Sequence, residues 1–150
     1  MRIKGLEVLG LALVLTGLGQ PALFAQAGAP AASTRDGVYT TAQAQQGKAL
    51  YSDQCAMCHG DSLEGAGQSP PLSTDAFLGD WTGQTLGDLY TKIQSTMPAT
   101  SPGTLKPDQT AQLIAYILSA NQFPTGAKAL PSDPSALKSI HIDAPQKPQQ

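Results

Sequence analysis

The stretch Gln54-Cys55-Ala56-Met57-Cys58-His59-Gly60 constrains this chain more than any other. Two cysteines separated by two residues, with a histidine directly after the second, form the attachment pattern for c-type haem. The spacing has a mechanical reason. On one turn of chain two thiols reach the two vinyl groups of a porphyrin and form thioethers, and the next residue brings an imidazole nitrogen to the iron. Soft sulfur and imidazole donors suit iron, while the porphyrin supplies the other four nitrogens. The pair has other uses: a redox dithiol, half of a zinc site, or a small disulfide loop. A thioredoxin-like dithiol belongs beside a βαβ pattern, and no strand-rich run flanks this one. A tetrahedral zinc site needs four ligands. The chain has only Cys55, Cys58, His59 and His141 to offer, and the last lies in a distant Pro-rich stretch where a surface histidine is expected. The pattern points to one covalent haem c with its iron.

The first residues read as an export signal. Arg2 and Lys4 make a positive start, Val8 to Leu18 is apolar, and Ala25-Gln26-Ala27 is an A-x-A cleavage site. The alternative is an uncleaved anchor, but the apolar run is short of the about 20 residues a spanning helix needs. Residues 1–27 are therefore expected to be removed as a signal peptide, leaving a periplasmic chain of 123 residues with no membrane anchor. Losing Arg2, Lys4 and Glu7 leaves seven basic and ten acidic side chains, a net charge of −3 with His neutral. Haem propionates make it more negative, which argues against nucleic acid or an anionic membrane surface as partner. With both cysteines consumed by thioethers no structural disulfide remains, so the cofactor must staple a small core.

Residues 28–40 are rich in Ala, Gly, Pro and Ser without apolar period, and read as a flexible leader. From Thr41, a candidate N-cap, the pattern turns helical, with Gly47 and Tyr51 four apart on one face. A glycine costs a helix about 1 kcal/mol relative to Ala, and its expected use is a close helix crossing. Residues 60–72 are too broken by Gly and Pro for regular structure, and read as a loop. The non-ligating nitrogen of an axial histidine usually donates to a backbone carbonyl or carboxylate. A turn stiffened by Pro70 and Pro71 suits that role, with Leu72 placed to pack on the porphyrin. Phe77 and Trp81 follow at helical spacing; either suits the core, and the Trp81 indole N–H is a candidate donor to a haem propionate.

Thr85 to Thr96 reads as a second helix with Leu86, Leu89, Tyr90 and Ile93 on one stripe, stopped at Thr96-Met97-Pro98. Haem iron has a sixth position. Met1 belongs to the signal and Met57 is tied inside the Cys-x-x-Cys turn, so Met97 is the methionine left to approach the opposite face. Pro107 opens a third helix with Leu113, Ile114, Tyr116, Ile117 and Leu118 apolar, and Leu113 and Tyr116 spaced to straddle Gly47. Beyond Phe123 the chain carries Pro124, Pro131, Pro134, Pro145 and Pro148 in a polar background, and residues 127–150 read as a mostly extended, poorly ordered tail, with 136–142 apolar enough to dock locally.

These residues resemble a class I c-type cytochrome from about Thr41 to Gly126, the expected domain. Cys55-x-x-Cys58-His59 resembles the family's haem-binding segment, and Gly47 with Tyr51, and Leu113 with Tyr116, match its crossing of first and last helices. Pro70-x-Leu72 resembles the segment whose proline carbonyl accepts from the proximal histidine, and Thr96-Met97-Pro98 its distal-ligand loop. The ending Ala115-Tyr116-Ile117-Leu118-Ser119-Ala120-Asn121 is similar to that of small bacterial cytochromes paired with quinoprotein dehydrogenases. The resemblance implies an all-α, cytochrome c-like fold of three main helices around one covalent haem. It also implies an electron carrier, not an enzyme, with His59 and Met97 as iron ligands. A redox donor and acceptor are its expected partners, with a PQQ dehydrogenase and a terminal oxidase as candidates. Two other classes stay open: a haem subunit held in an oxidoreductase complex, and a haem enzyme or sensor with an open sixth site.

Overall fold

The computed structural model describes residues 32–145, so the expected signal peptide lies outside the described residues. In chain order the elements are β1 (Ala32–Ser33), a single 3-10 turn (Thr34–Asp36), α1 (Thr41–Gln54), α2 (Ala56–His59), α3 (Thr74–Trp81), α4 (Leu86–Thr96), α5 (Pro107–Ala120), α6 (Pro134–Leu137) and β2 (Ile140–His141). Strand content among the described residues is slight, β1 pairing parallel with β2. The fold is all-α with three main helices, as the sequence predicts. Among the described residues no helix is long and apolar enough to cross a membrane.

Local chemistry sets the helix ends. Thr40, one residue before the expected cap, accepts from the Gln43 amide and starts α1. Thr85 and Asp88 satisfy each other's backbone amides at the start of α4, a reciprocal cap that removes two orphan donors. Pro107 occupies the first turn of α5, where its missing N–H costs nothing. At the other end of α4, Met97 already has extended backbone, as a residue before proline must.

Helix α5 is the centre of the core, buried at Thr110, Ala111, Leu113, Ile114, Ala115, Ile117 and Leu118. It packs against α1 on one flank and α4 on another. The α1–α5 crossing sits at Gly47, where a Cβ would fall on the Gln112 carbonyl and come within 3.0 Å of Tyr116 Cβ. The close crossing is therefore real, but its far wall is Gln112 with Tyr116 and not Leu113, which turns toward a cavity described below. One turn on, Tyr51 packs against Tyr116 with ring centroids 5.2 Å apart and planes at 55°, a tilted aromatic pair.

Two expectations are corrected. The leader is not loose from residue 32 onward: Thr34 and Tyr39 are buried, Tyr39 Oη donates to the Phe123 carbonyl (2.7 Å), and the Gly126 amide donates to the Tyr39 carbonyl (2.7 Å). The tail is irregular over most of its length but not loose: Leu137, Ile140 and Ile142 are buried, as the expected docking of 136–142 requires, and Leu130 is buried as well, each aliphatic side chain contributing about 1.5–3 kcal/mol when fully covered. Long-range backbone pairing, which composition does not report, orders both segments: β1 meets β2, and Asp143 is held by Ser33 and Thr34.

Gly47→Ala is expected to destabilise the protein by about 1–3 kcal/mol in chemical denaturation, because the added carbon meets backbone that cannot retreat without parting two helices. Gly79→Ala in α3, where a Cβ meets nothing within 4 Å, should instead be neutral or gain up to about 1 kcal/mol from helix propensity.

Candidate haem site

The turn that carries Cys55, Cys58 and His59 hangs from the end of α1. Cys55 closes α1 by donating to the Tyr51 carbonyl (2.8 Å), and its own carbonyl accepts from the amides of Cys58 (3.1 Å) and His59 (2.9 Å). Both cysteines are free thiols. Burial, and then the neighbouring Cys58, pushes the Cys55 thiol up to about 11, so it stays protonated at neutral pH. Tyr51, whose hydroxyl burial holds well above its ordinary pKa, donates to the Gly60 carbonyl at 2.7 Å. That bond ties α1 to the residue after His59. Gly60 itself has φ 81°, a conformation that suits glycine.

His59 is buried, and its Nδ1 lies 2.9 Å from the Pro70 carbonyl. A carbonyl only accepts, so Nδ1 is the donor, and the neutral tautomer that makes this bond is the one with a lone pair on Nε2. The loop that presents Pro70 is pinned at several points. The Gly65 amide donates to the His59 carbonyl (2.8 Å), the Leu72 amide to the Leu63 carbonyl (2.8 Å), and Asn121 Nδ2 to the Leu72 carbonyl (3.0 Å). Gly65, with φ 76°, is closely approached: a Cβ would lie 2.7 Å from Pro71 N. Leu63 adopts φ 64° while fully buried, a backbone cost of about 1–2 kcal/mol held by the packing of its side chain.

Met97 follows α4, its amide donating to the Ile93 carbonyl at 2.9 Å. The loop from Pro98 back to α5 is held from inside the helix by Gln94. Its Nε2 donates to the Leu105 carbonyl (2.7 Å) and its Oε1 accepts from Thr110 Oγ1 (2.6 Å). Gln94, Tyr51 as a donor, and Asn121 escaped the sequence reading; the only signal for Gln94 is a glutamine one residue from the apolar stripe of α4.

These elements enclose one largely apolar cavity of about 310 Å³. Cys55, Cys58, His59, Pro70, Leu72 and Met97 all line it, together with Ile93, Leu113 and Ile117. Cys58 and Met57 are both lining and exposed, so they mark its rim, Met57 being 88% exposed. An apolar cradle with a free imidazole nitrogen, a thioether sulfur and two thiols at one edge is a donor set that fits haem c. Trp81 is not among the residues that line this cavity. It stacks on Phe77, four residues earlier on the same face of α3, with centroids 6.3 Å apart and planes at 28°. A zinc site gains no support, since no group of three or more His, Cys, Asp or Glu side chains gathers among the described residues. A more open hollow of about 600 Å³ beside Ser33 and Asp143 contains none of the candidate residues. Gln94→Ala should lower stability by about 1–3 kcal/mol in thermal or denaturant melts, because it leaves the buried Thr110 hydroxyl only a long bond to the Lys106 carbonyl (3.4 Å) and frees the Leu105 end of the Met97 loop.

Residues 42–117 match the family described as cytochrome C oxidase, cbb3-type, subunit III. The chain is 33% identical over 99 residues to the cbb3-type cytochrome c oxidase subunit CcoP of Azospirillum brasilense, covering 55% of this chain and 32% of that protein. It is also 33% identical over 92 residues to the cbb3-type cytochrome c oxidase subunit FixP of Bradyrhizobium sp. (strain ORS 278), covering 53% and 31%. The chain thus spans about a third of the length of these curated relatives. Among solved structures it aligns with the sulfane dehydrogenase SoxCD from Paracoccus pantotrophus at 28% identity and a TM-score of 0.44, over 72% of this chain and 60% of that one. The match across half of the sequence, centred on a cavity built to receive covalent haem c, makes this chain a member of the cbb3-type cytochrome c oxidase subunit III family of c-type cytochrome domains.

Proposed function

We propose that this domain is a periplasmic one-electron carrier whose haem c is attached through Cys55 and Cys58 and held at its iron by His59 and Met97. The single observation that carries the reading is that these four side chains, supplied by two separate elements, line one apolar cavity. Bound there, haem c supplies a ferrous/ferric couple. The chain's own residues do the rest. The Pro70 carbonyl fixes the His59 tautomer and ring orientation. Gln94 and the Leu105–Thr110 contact hold the segment after Met97. Ile93, Leu113 and Ile117 exclude water from the cavity floor. A site whose ligands stay bound in both oxidation states needs little reorganisation, which suits electron transfer over catalysis.

Electrons would pass at the rim where Met57 protrudes, with Pro98 on the same cavity and Pro71 next to the lining residues Pro70 and Leu72 contributing to a mildly apolar docking surface for a transient partner. Between Lys48 and Lys92 the sequence carries Asp53, Asp61, Glu64, Asp75, Asp80 and Asp88 and no lysine or arginine. All six acids are exposed. The loop from Pro98 to Leu105, on the Met97 side, carries no charge. The exposed carboxylates that flank the Cys55–His59 turn in sequence, Asp53, Asp61 and Glu64, favour a donor or acceptor that presents basic residues. A quinoprotein dehydrogenase as donor and a terminal oxidase as acceptor are the candidates.

A second reading has its own support. The relatives are named as subunits of a cbb3-type oxidase, and this domain can serve as a haem subunit held in such a complex. Gel filtration of a native extract separates the two, a free small haem protein favouring the carrier.

Met97→Ala is expected to abolish the weak far-red charge-transfer band of the ferric protein and to lower its reduction potential; an unchanged spectrum would refute the ligand assignment. Electron exchange with a basic-rimmed partner should slow by about tenfold or more as ionic strength rises from low to physiological. Stopped-flow kinetics against salt checks this, and a rate indifferent to salt would remove the electrostatic part of the docking.

A further inference from the structure

The segment after α5 contributes nothing to the cavity, yet it lies against the helix that ends at Met97. The Gly83 amide donates to the Ile142 carbonyl and the Ile142 amide to the Gln84 carbonyl, both at 2.9 Å. His141 forms an antiparallel bridge with Thr85. At Gly87, in the first turn of α4, a Cβ would lie 2.6 Å from Lys138 Cγ and 2.9 Å from Lys138 N. Leu137 and Ile142 are completely buried. Residues 137–142 therefore cover the start of α4, while another flank of α4 packs on α5.

The segment is fastened at both ends. Gln43 in α1 grips the Leu130 backbone twice, Nε2 donating to its carbonyl (2.9 Å) and Oε1 accepting from its amide (2.8 Å). At the far end, Ser33 Oγ donates to the Asp143 carboxylate (2.6 Å), Thr34 exchanges bonds with the Asp143 backbone (3.2 and 3.1 Å), and Arg35 Nε donates to the Ala144 carbonyl (2.7 Å). A surface appendage has no need of such fastening.

The physical consequence falls on α4. A helix of 11 residues is marginal in isolation, and its persistence depends on packing. Met97 continues its hydrogen-bond ladder, so any opening of α4 displaces Met97 with it. We propose that residues 128–144 act as a strap that clamps α4 against α5, and that this clamp positions Met97 and slows its release from the iron. The proposal rests on the reading of Met97 as a ligand.

Gly87→Ala separates lifting the strap from weakening the helix. It raises the helix propensity of α4 while driving a methyl group into Lys138. Leu137→Ala loosens the strap while leaving the sequence of α4 unchanged. Both are made in the full, haem-loaded protein, with Gly47→Ala as a variant destabilised at a different crossing. Two quantities are read: amide hydrogen exchange in residues 89–96, and the rate at which added imidazole replaces Met97 on the ferric protein at concentrations where release limits it. Both strap variants should speed both quantities on the order of tenfold, well beyond Gly47→Ala. Values within about twofold of the parent in both strap variants, or an equal acceleration in Gly47→Ala, would overturn the proposal. A parent protein with no methionine–iron band sinks the ligand reading by itself, and hydrogen exchange then decides whether the strap clamps α4.

Discussion

The contact on which the rest depends is the approach of Gly47 to the Gln112 carbonyl. Helix α1 is polar and small-sided, and the residues it buries run Gln43, Ala44, Gly47 and Tyr51. With so little apolar surface, α1 is placed by how near its backbone can come to α5, and dispersion between closely packed atoms supplies the attraction. That approach lays Tyr51 on Tyr116. Tyr51 then reaches the Gly60 carbonyl, and the Cys55–His59 turn is fixed relative to α5. Leu113 and Ile117, on the other side of α5, consequently become walls of the cavity that His59 lines. A glycine at one crossing thus determines where the imidazole stands.

Much of this was legible in the sequence where short spacing decides. Cys55, Cys58 and His59 are bound by covalent reach, and their turn could take few other shapes. Pro70, Leu72 and Met97 sit beside prolines that narrow the backbone, and all three line the cavity. Thr85, Asp88 and Pro107 mark helix starts through chemistry confined to four residues. What stayed hidden is nonlocal. The apolar content of 136–142 signals docking without naming a partner, and Leu130, isolated before a proline, is buried with no such signal. The Gln43 amide meets Leu130 across 87 positions, and no window of sequence reports such a pairing. Trp81 illustrates the same limit: helical spacing puts it on a face with Phe77 but cannot say what that face will meet.

The two sides of the cavity are secured differently. On the His59 side the bonds are local and dense, from Gly65 to His59, from Leu72 to Leu63, and from His59 to Pro70, all within residues 59–72. On the Met97 side local bonds close the turn after Pro98, from Ser101 to Pro98 and from Thr104 to Ser101, but the bonds that tie it to the rest of the fold are longer-range: Gln94 to Leu105 and Thr110, and the strap across Gly83, Gln84 and Gly87. Loss of one bond on the first side leaves its neighbours to hold the turn. On the second side each contact joins a different stretch of chain, so losing one frees a whole segment.

This asymmetry bears on what limits the domain as an electron carrier. Thioethers would secure the cofactor to the His59 side covalently, whatever the state of the fold around it. The Met97 side would rely on packing alone, and packing opens locally at free energies below that of global unfolding. With Met97 as a ligand, the constancy of the iron environment would be governed by the weaker hold. The segment that covers the start of α4, with no ligand of its own, would then matter to the redox site through the helix it holds.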